Sequence, residues 1–541
     1  MAGSVSSRKE AEAAIGDPEG LALLESLVAI APTNLEDPAH DRFEKPNYSR
    51  GADEIVRWAR RFGLATRRFD PTTDLPPDPS YRHVPRPNVI VDLELGAPER
   101  ILILAHYDVV PVPAEQRSHW KSPPHSVTLR SDGRLYGRGA NDDLGSGVVS
   151  SLLALRRLAD DGSPRNVRLL VCCDEETGGH GGIEAIKRHD DALPIQNPAR
   201  ILSGVAALIP DGSPHATAGS SGVVFLDAGF EGPARLDETL RYGRSLLDLD
   251  ELARRWRSAY ASPDWPEFGA PEAFLTGRAT VTRFDVSAAH ATEGAVTLVA
   301  AHAENDAPNQ IAEAVTLVFE GPSDRLERLA DAIPSYVIPP FHSIRPARAT
   351  ARPVPPGALS VQIVGQSAHG GYPHRGHNPV PIALGVLERA VSDGLLNVGG
   401  GGASTFSVDL RLIPEMRLEQ GRGEALRRVE SFLRRELPRG RIDAPLARAR
   451  GGYSLPTDHP AVGKLERLVR SEFGVGGIFG EYGGTDASSL VGVSTPAGEP
   501  IPALVFGSID RSARIHEAEE SVDPISIGRV SRIIERFVRE P

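Results

Sequence analysis

The sequence predicts an α/β protein, built on a mainly parallel sheet and interrupted by an inserted α+β domain. Three observations carry this. Apolar runs without polar alternation, such as ILIL at 101–104 and LLVCC at 169–173, mark strands buried on both faces, as in a parallel sheet. Strands alternate with helical periods at the pitch of βαβ units as far as Asp211. Between 226 and 450 the texture changes to strands and helices of α+β type, and after 452 the α/β texture returns. The expected division is 1–225 and 451–541 for the outer domain and 226–450 for the insert.

Taken in order, residues 1–20 read as a frayed lead-in, followed by helical periods at 21–30 and 53–62. The Pro-rich stretch 71–88 reads as a surface loop. Strands follow at 89–95 and 101–105, separated by the turn GAPER, and 113–135 reads as irregular. The glycine-rich GRGANDDLGSG at 137–147 leads into a helix at 148–158. A strand at 167–173 runs into the acidic turn Asp174-Glu175-Glu176, and a strand at 205–209 ends at Pro210-Asp211. The insert reads as two α+β lobes of similar pattern, joined by the Pro-rich 334–357. The first has strands at 279–287, 296–302 and 314–320 with a helix at 324–333. The second has strands at 359–364 and 405–412 with helices at 381–391 and 424–437. Residues 227–275, with Trp256 and Trp265, read as a long loop. A helix at 460–472, a strand at 501–506 and a helix at 525–538 close the chain.

Composition sets the outer limits. With 541 residues there is ample material for two or three cored domains. The net charge of −12, without a basic block, gives nucleic-acid binding no electrostatic footing. No apolar h-region and no 18-residue apolar run is present, so neither a signal peptide nor a membrane span is expected. The two cysteines are the adjacent Cys172 and Cys173 inside a buried strand, which suits a reducing cytoplasm and excludes a disulfide framework.

His106 stands at the carboxyl end of a buried strand, where open α/β sheets place ligands. His106, Asp142, Glu176 and Asp211 are separated by 36, 34 and 35 residues. One such residue per βα unit would bring all four to one sheet edge. A mixed histidine and carboxylate set is what Zn²⁺ accepts, and a two-metal site needs a bridging carboxylate. Asp108, two residues after His106, lies on the same side of an extended chain and can orient the imidazole.

In this order HYDVVPVP, LYGRGANDDLGSG, CCDEETGG, LIPDGSP and FGSIDRSARIHEAEESV resemble the M20 metallopeptidase family of di-zinc exopeptidases and deacylases. The resemblance spans about 85 to 540, and its pattern is closest to PepV-type dipeptidases, in which a two-lobed lid imitates a dimer. It implies a zinc-hydrolase fold with two divalent ions, zinc first and Co or Mn as substitutes. It makes His106 and Asp211 ligands of one metal, Glu176 and His516 ligands of the other, and Asp142 the bridge. Asp108 would orient His106. Glu175 would be the general base that takes a proton from the attacking water.

The same resemblance gives the insert its candidates. GQSAHGGYPHRGHNP resembles the lid motif whose histidine, here His369, stabilises the oxyanion. Asn309 in APNQIAE would contact substrate, Arg411 in FSVDLRLIPE would grip a substrate carboxylate, and Gly484 and Thr485 would line the pocket. Leu144 departs from the family, which commonly has lysine there. The implied reaction is cleavage of an amide or peptide bond next to a free carboxylate. A dipeptidase is the first reading and an N-acyl-amino-acid deacylase the second; a non-catalytic metal-binding protein is the remote one. The expected partner is a small substrate. The two-lobed lid favours a monomer and leaves a homodimer open.

Overall fold

The computed structural model describes residues 5–33, 47–71, 84–112, 117–261, 274–288, 292–304, 310–337, 348–354, 357–368, 370–373, 376–399, 402–416, 424–436, 440–443 and 449–541. The chain forms two compact units. One comprises 1–220, 453–480 and 485–541, and the other 221–452 with 481–484.

The first unit is organised on a nine-stranded mixed sheet. Its centre is parallel: Asn166–Cys172, Arg100–His106, Ala206–Ile209 and Ala503–Val505 lie side by side in that order. These are the apolar runs, and Asn166–Cys172 and Ala206–Ile209 are buried at every position. The flanks are antiparallel. Ala65–Phe69 and Asn88–Leu93 add to one side, and Ala216–Ser220 and Tyr453–Ser454 to the other. The sheet is thus parallel in its four central strands and antiparallel outside them. Leu102, Leu104, Leu170 and Ala207 share a core with Ile183 and Ile186 of the helix Ile183–Asp191. The helix Ser150–Asp161 packs on Pro524–Arg539.

The N-terminal stretch is not frayed. Arg8–Ile15 is a helix with a capping box between Ser7 and Glu10, and Ala11 and Ile15 are fully buried. Two reciprocal hydrogen bonds at the cap and an apolar pair four residues apart suffice to fix this short helix.

Among the described residues the second unit is built on one large antiparallel sheet, with Arg257–Ala261 and Phe274–Thr276 paired separately. Its order runs Arg348–Val354, Ala358–Val364, Ala314–Glu320, Thr297–Glu304, Arg278–Ala288, Gly402–Leu412, Gly222–Ala234, Arg441–Asp443. Strands from both halves of the insert thus belong to one sheet. Gly402–Leu412, from the second half, hydrogen-bonds between Gly222–Ala234 and Arg278–Ala288 of the first. Antiparallel neighbours need no sequence adjacency, so a pattern repeat along the chain does not dictate the pairing. Leu240, Leu246, Leu329, Leu384 and Leu387 of the covering helices share one core with Phe284, Phe319 and Phe406 of the strands.

The expected loop 227–275 holds an 18-residue helix, Leu236–Ala253, which buries Leu236, Leu240, Leu246 and Leu249. That spacing is helical, and the tryptophans obscured it. Trp256 is buried beside the helix end, while Trp265 lies outside the described residues.

Candidate metal centre

Four neighbouring parallel strands deliver the cluster. Arg100–His106 ends on His106 itself. Asn166–Cys172 continues through Cys173 and Asp174 into the short 3₁₀ turn Glu175–Thr177. Ala206–Ile209 runs into Pro210-Asp211, and Ala503–Val505 leads into the segment that carries His516. All four exits face the carboxyl end of the same sheet, where α/β proteins place ligands. Asp142 arrives differently. It opens the π-helix Asp142–Val149, which follows the small hairpin Thr128–Leu129 and Leu135–Tyr136 outside the main sheet. The even spacing near 35 residues is therefore not four identical βα units.

The side chains form a linked group. His106 Nδ1 lies 3.1 Å from the Asp108 carbonyl oxygen and 3.4 Å from Asp108 Oδ1. Its Nε2 lies 3.5 Å from Asp143 Oδ1 and 3.8 Å from Asp211 Oδ2. His516 Nε2 is 2.7 Å from Glu176 Oε1. Donor atoms of Asp142, Asp143 and His516 all fall within 4.8 Å of one another. Asp108 also does a job the sequence did not suggest: its two oxygens accept the backbone N–H groups of Glu175, at 3.0 Å, and Glu176, at 3.1 Å. One buried carboxylate thus braces both the first histidine and the turn that carries the two glutamates.

The left-handed residues Asp174 and His516, with φ of 70° and 63°, mark where the backbone bends to aim these groups. Such a conformation costs a non-glycine residue free energy, so surrounding contacts must hold it. At Asp174 they are visible. Arg86 Nε is 3.3 Å from Oδ1, Thr177 Oγ1 donates to Oδ1 at 2.8 Å, and the Gly181 N–H donates to Oδ2 at 3.0 Å.

Electrostatics show a surplus of negative charge. Burial and the adjacent Asp142 push the Asp143 carboxyl well above its ordinary value, and burial with Glu175 and Asp142 does the same for Asp211. Burial opposes a charge on His106, but Asp143, Asp108 and Asp211 outweigh it and raise the imidazole well above its usual range. Glu176 likewise outweighs burial and lifts His516 to about 9. Asp143 and Asp211 thus favour their protonated forms and the two histidines their charged forms, and a cation would compete with those protons. The fit to a cation rests on a further observation. Asp142 Oδ1 and Asp143 Oδ1 are buried without a hydrogen-bond partner among the described residues. Buried carboxylate oxygens are ordinarily satisfied, and divalent cations are what such unsatisfied oxygens bind.

Asp143 was missed in the sequence, although the Asp-Asp doublet was its signal. Leu144, in place of lysine, is fully buried and packs beside Gly139. Thr485 is buried and uses its hydroxyl to accept the Ala487 N–H at 3.3 Å, so its visible role is to cap the turn Asp486–Leu490. A Cβ on Gly484 would meet only Val223, at 3.9 Å, so protein packing does not require glycine there. Arg411 is buried in the second unit with its fork engaged. Its Nε and Nη2 donate to Asp409 Oδ1 and Oδ2 at 2.7 and 2.8 Å, and Nη1 donates to the Tyr482 carbonyl at 3.2 Å. Three of its five N–H donors are thus committed to protein partners, and a substrate carboxylate would have to use the remaining ones or displace a partner. His369 and Asn309 lie outside the described residues.

A parallel-centred sheet whose strand ends gather histidines and carboxylates around unsatisfied oxygens is the frame of a metal-dependent α/β hydrolase. Residues 102–540 match Peptidase family M20/M25/M40, and the chain belongs to that family. Aminoacylase-1A of Rattus norvegicus is 42% identical over 108 residues, 20% of this chain and 26% of the relative. An uncharacterised metallohydrolase of Methanocaldococcus jannaschii is 33% identical over 103 residues, 19% of this chain and 24% of the relative. The chain thus aligns with about a quarter of the length of these curated relatives. The fold is similar to the di-peptidase Dug1p of Saccharomyces cerevisiae, with TM-score 0.58, 12% identity and 98% of each chain covered. Human carnosine dipeptidase 1 is similar with TM-score 0.53, 13% identity and 99% of each chain covered. Among the described residues no helix is long and apolar enough to cross a membrane.

Proposed function

We propose that this protein is a two-metal hydrolase of small substrates with a free carboxylate, cleaving the amide or peptide bond beside it, with dipeptides as the first substrate class. The observation that carries the reading is the pair of buried oxygens of Asp142 and Asp143 that lack a hydrogen-bond partner among the described residues, close to His516 and, through His106, to the sheet edge that carries Glu176 and Asp211. His106 and Asp211 would hold one ion and Glu176 and His516 the other, with Asp142 between them. Zinc suits this nitrogen and oxygen donor set, and cobalt or manganese would substitute. Bound divalent cations supply Lewis acidity toward a carbonyl oxygen and lower the pKa of water.

The chain's own residues do the rest. Glu175 accepts a proton from the attacking water at its carboxylate and returns it to the leaving amine nitrogen. Asp108 keeps Glu175 in reach by accepting the N–H groups of its turn, and orients His106 through Nδ1. His369 is assigned as donor to the developing oxyanion.

A second reading, an N-acyl-amino-acid deacylase, is favoured by the 42% identity to an aminoacylase over 108 residues. The two share metals, base and oxyanion donor, and differ in what surrounds the amine side. A non-catalytic metal-binding protein would have no use for the braced Glu175.

Elemental analysis of the purified protein, with turnover of a panel of dipeptides and N-acyl amino acids, tests the proposal. Two metals per chain and chelator-sensitive hydrolysis are expected, and the preferred panel member decides between the two readings. Absence of bound metal after reconstitution with zinc would overturn both.

A further inference from the structure

The segment that carries His516 has little regular structure between Phe506 and Ser521, and three of its residues are left-handed: Arg514 at φ 51°, His516 at 63° and Glu519 at 70°. None is glycine, so the conformation is unfavourable by itself and must be imposed from outside. Three side-chain clamps on it come from one short stretch. Arg130, Arg134 and Arg138, four residues apart, each grip an acid of the segment.

Arg134 Nη1 and Nη2 donate to Asp510 Oδ2 and Oδ1 at 2.7 and 3.1 Å, and Nε donates to Ser521 Oγ at 2.8 Å. Arg130 holds Glu519 through both oxygens, one of them at 2.8 Å from Nη2, and the Lys121 N–H adds a bond to the same carboxylate at 2.8 Å. Arg138 Nη1 donates to Glu520 Oε2 at 2.6 Å, with side-chain exposures of 0% and 1%. The Gly137 N–H donates to the Glu520 carbonyl at 3.1 Å, and Asn141 Nδ2 to the Ser521 carbonyl at 2.8 Å.

The innermost pair differs from the outer two. It is fully buried, and it lies four residues after His516 on one side and four residues before Asp142 on the other. It therefore ties together two segments that each carry a candidate ligand. The geometry points to Arg138 and Glu520 as positioning residues that fix His516 relative to Asp142, with the Arg130 and Arg134 clamps securing the outside of the same segment. The inference rests on the metal-centre reading above. It adds that the second ion is held through a buried ion pair that contributes no ligand.

The test is competition for zinc with a chromophoric chelator, on the full chain, for wild type, Glu520→Gln, His516→Ala and the double variant. The unfolding midpoint of each chelated protein is recorded alongside. Glu520→Gln is expected to weaken one of the two zinc equivalents by about 10–100-fold, the usual size for a group that orients a ligand. In the His516→Ala background the same change should cost nothing further, because the residue it positions is gone. A general loss of structure would instead weaken zinc in both backgrounds. Zinc affinity unchanged by Glu520→Gln while His516→Ala loses it, or an equal loss in both backgrounds, would overturn the inference. If Glu520→Gln does not fold, Glu520→Asp keeps the charge, retracts the carboxylate by one carbon and is read by the same two criteria. A wild type that binds no zinc would overturn the metal-centre reading itself, a result distinct from either of these.

Discussion

Buried aspartates at two places in this protein, one in each unit, are treated in opposite ways. In the second unit Asp409 is fully buried and both its oxygens are matched by Arg411, in a planar bidentate pair across which charge and hydrogen bonds balance. In the first unit Asp142 and Asp143 are buried side by side, each with an oxygen that has no hydrogen-bond partner among the described residues, and Asp211, Glu176 and Asp108 lie in the same cluster. A balanced pair is what a scaffold needs. An unbalanced group of acids is costly unless protons or a cation offset it, and the contrast suits an architectural charge in one place and a functional group in the other.

The largest effect should come from the acid proposed as general base. Glu175→Gln is expected to keep its zinc and lose about 10²–10⁴-fold in kcat, measured by steady-state turnover beside elemental analysis. Turnover near wild type would remove Glu175 from the chemistry. Asp409→Asn should act in the opposite sense, on the fold. It leaves Arg411 charged and buried without its carboxylate, and a loss of about 3–5 kcal/mol in denaturant unfolding is expected.

Asp142→Asn sharpens the contrast by its sign. Removing one of two adjacent buried acids relieves repulsion, so the chelated protein should gain about 1–2 kcal/mol while binding of both ions is impaired. A destabilised metal-free variant would mean that Asp142 is a scaffold charge like Asp409.

The smallest effect belongs to a group remote from either cluster. Lys464 donates to the carbonyls of Phe537 and Glu540 at 2.8 and 2.5 Å, closing the end of the helix Pro524–Arg539. Burial and the nearby Arg165 lower its pKa to about 8. Between about pH 8 and the lysine's ordinary value the unfolded chain holds the proton that the folded one has released, so stability rises with pH there. Discounted for the side chain's partial exposure, the gain is about 1 kcal/mol or less. Comparison of wild type with Lys464→Met in urea at about pH 7 and about pH 10 reads it as a stability difference that is constant below about pH 8 and shifts in favour of wild type above it.

What was legible in the sequence follows from range. The continuous apolar runs at 101–104 and 169–173 announced central parallel strands because a strand buried on both faces has no polar side to show. His106, Glu176 and Asp211 could be placed at strand exits by reading a few residues past each run. Asp142 was singled out on a spacing argument whose geometry is different, since it comes off a hairpin and a π-helix and not off a sheet strand. The Arg138–Glu520 pair spans 382 residues, and nothing local distinguishes those two residues from any other arginine and glutamate. Arg411 has the same difficulty at short range. In a strand, residues 409 and 411 share a face, and the sequence does not say whether an arginine there turns toward a ligand or toward the aspartate two positions earlier. The large sheet of the second unit was hidden because antiparallel pairing partners are chosen by packing and not by order along the chain.

The π-helix Asp142–Val149 has a consequence of its own. Its wide turns are bonded from Leu144 N–H to Gly139 O at 3.0 Å and from Ser146 N–H to Asn141 O at 2.6 Å, and a Cβ at Gly145 would strike the Ala140 carbonyl at 2.2 Å. Such a turn is an α-helix with extra length wound into it. Removing one residue within it would allow ordinary α-helical winding, in which the i→i−5 bonds give way to i→i−4 ones. The residues of the wide turn itself would be re-seated, while the turns that follow could keep their phase. The shorter segment would make a better helix, and the carboxylates of Asp142 and Asp143 would no longer point where Ser150–Asp161 now aims them. Chain length within this segment is thus a form of address, as specific as the identity of the acids themselves.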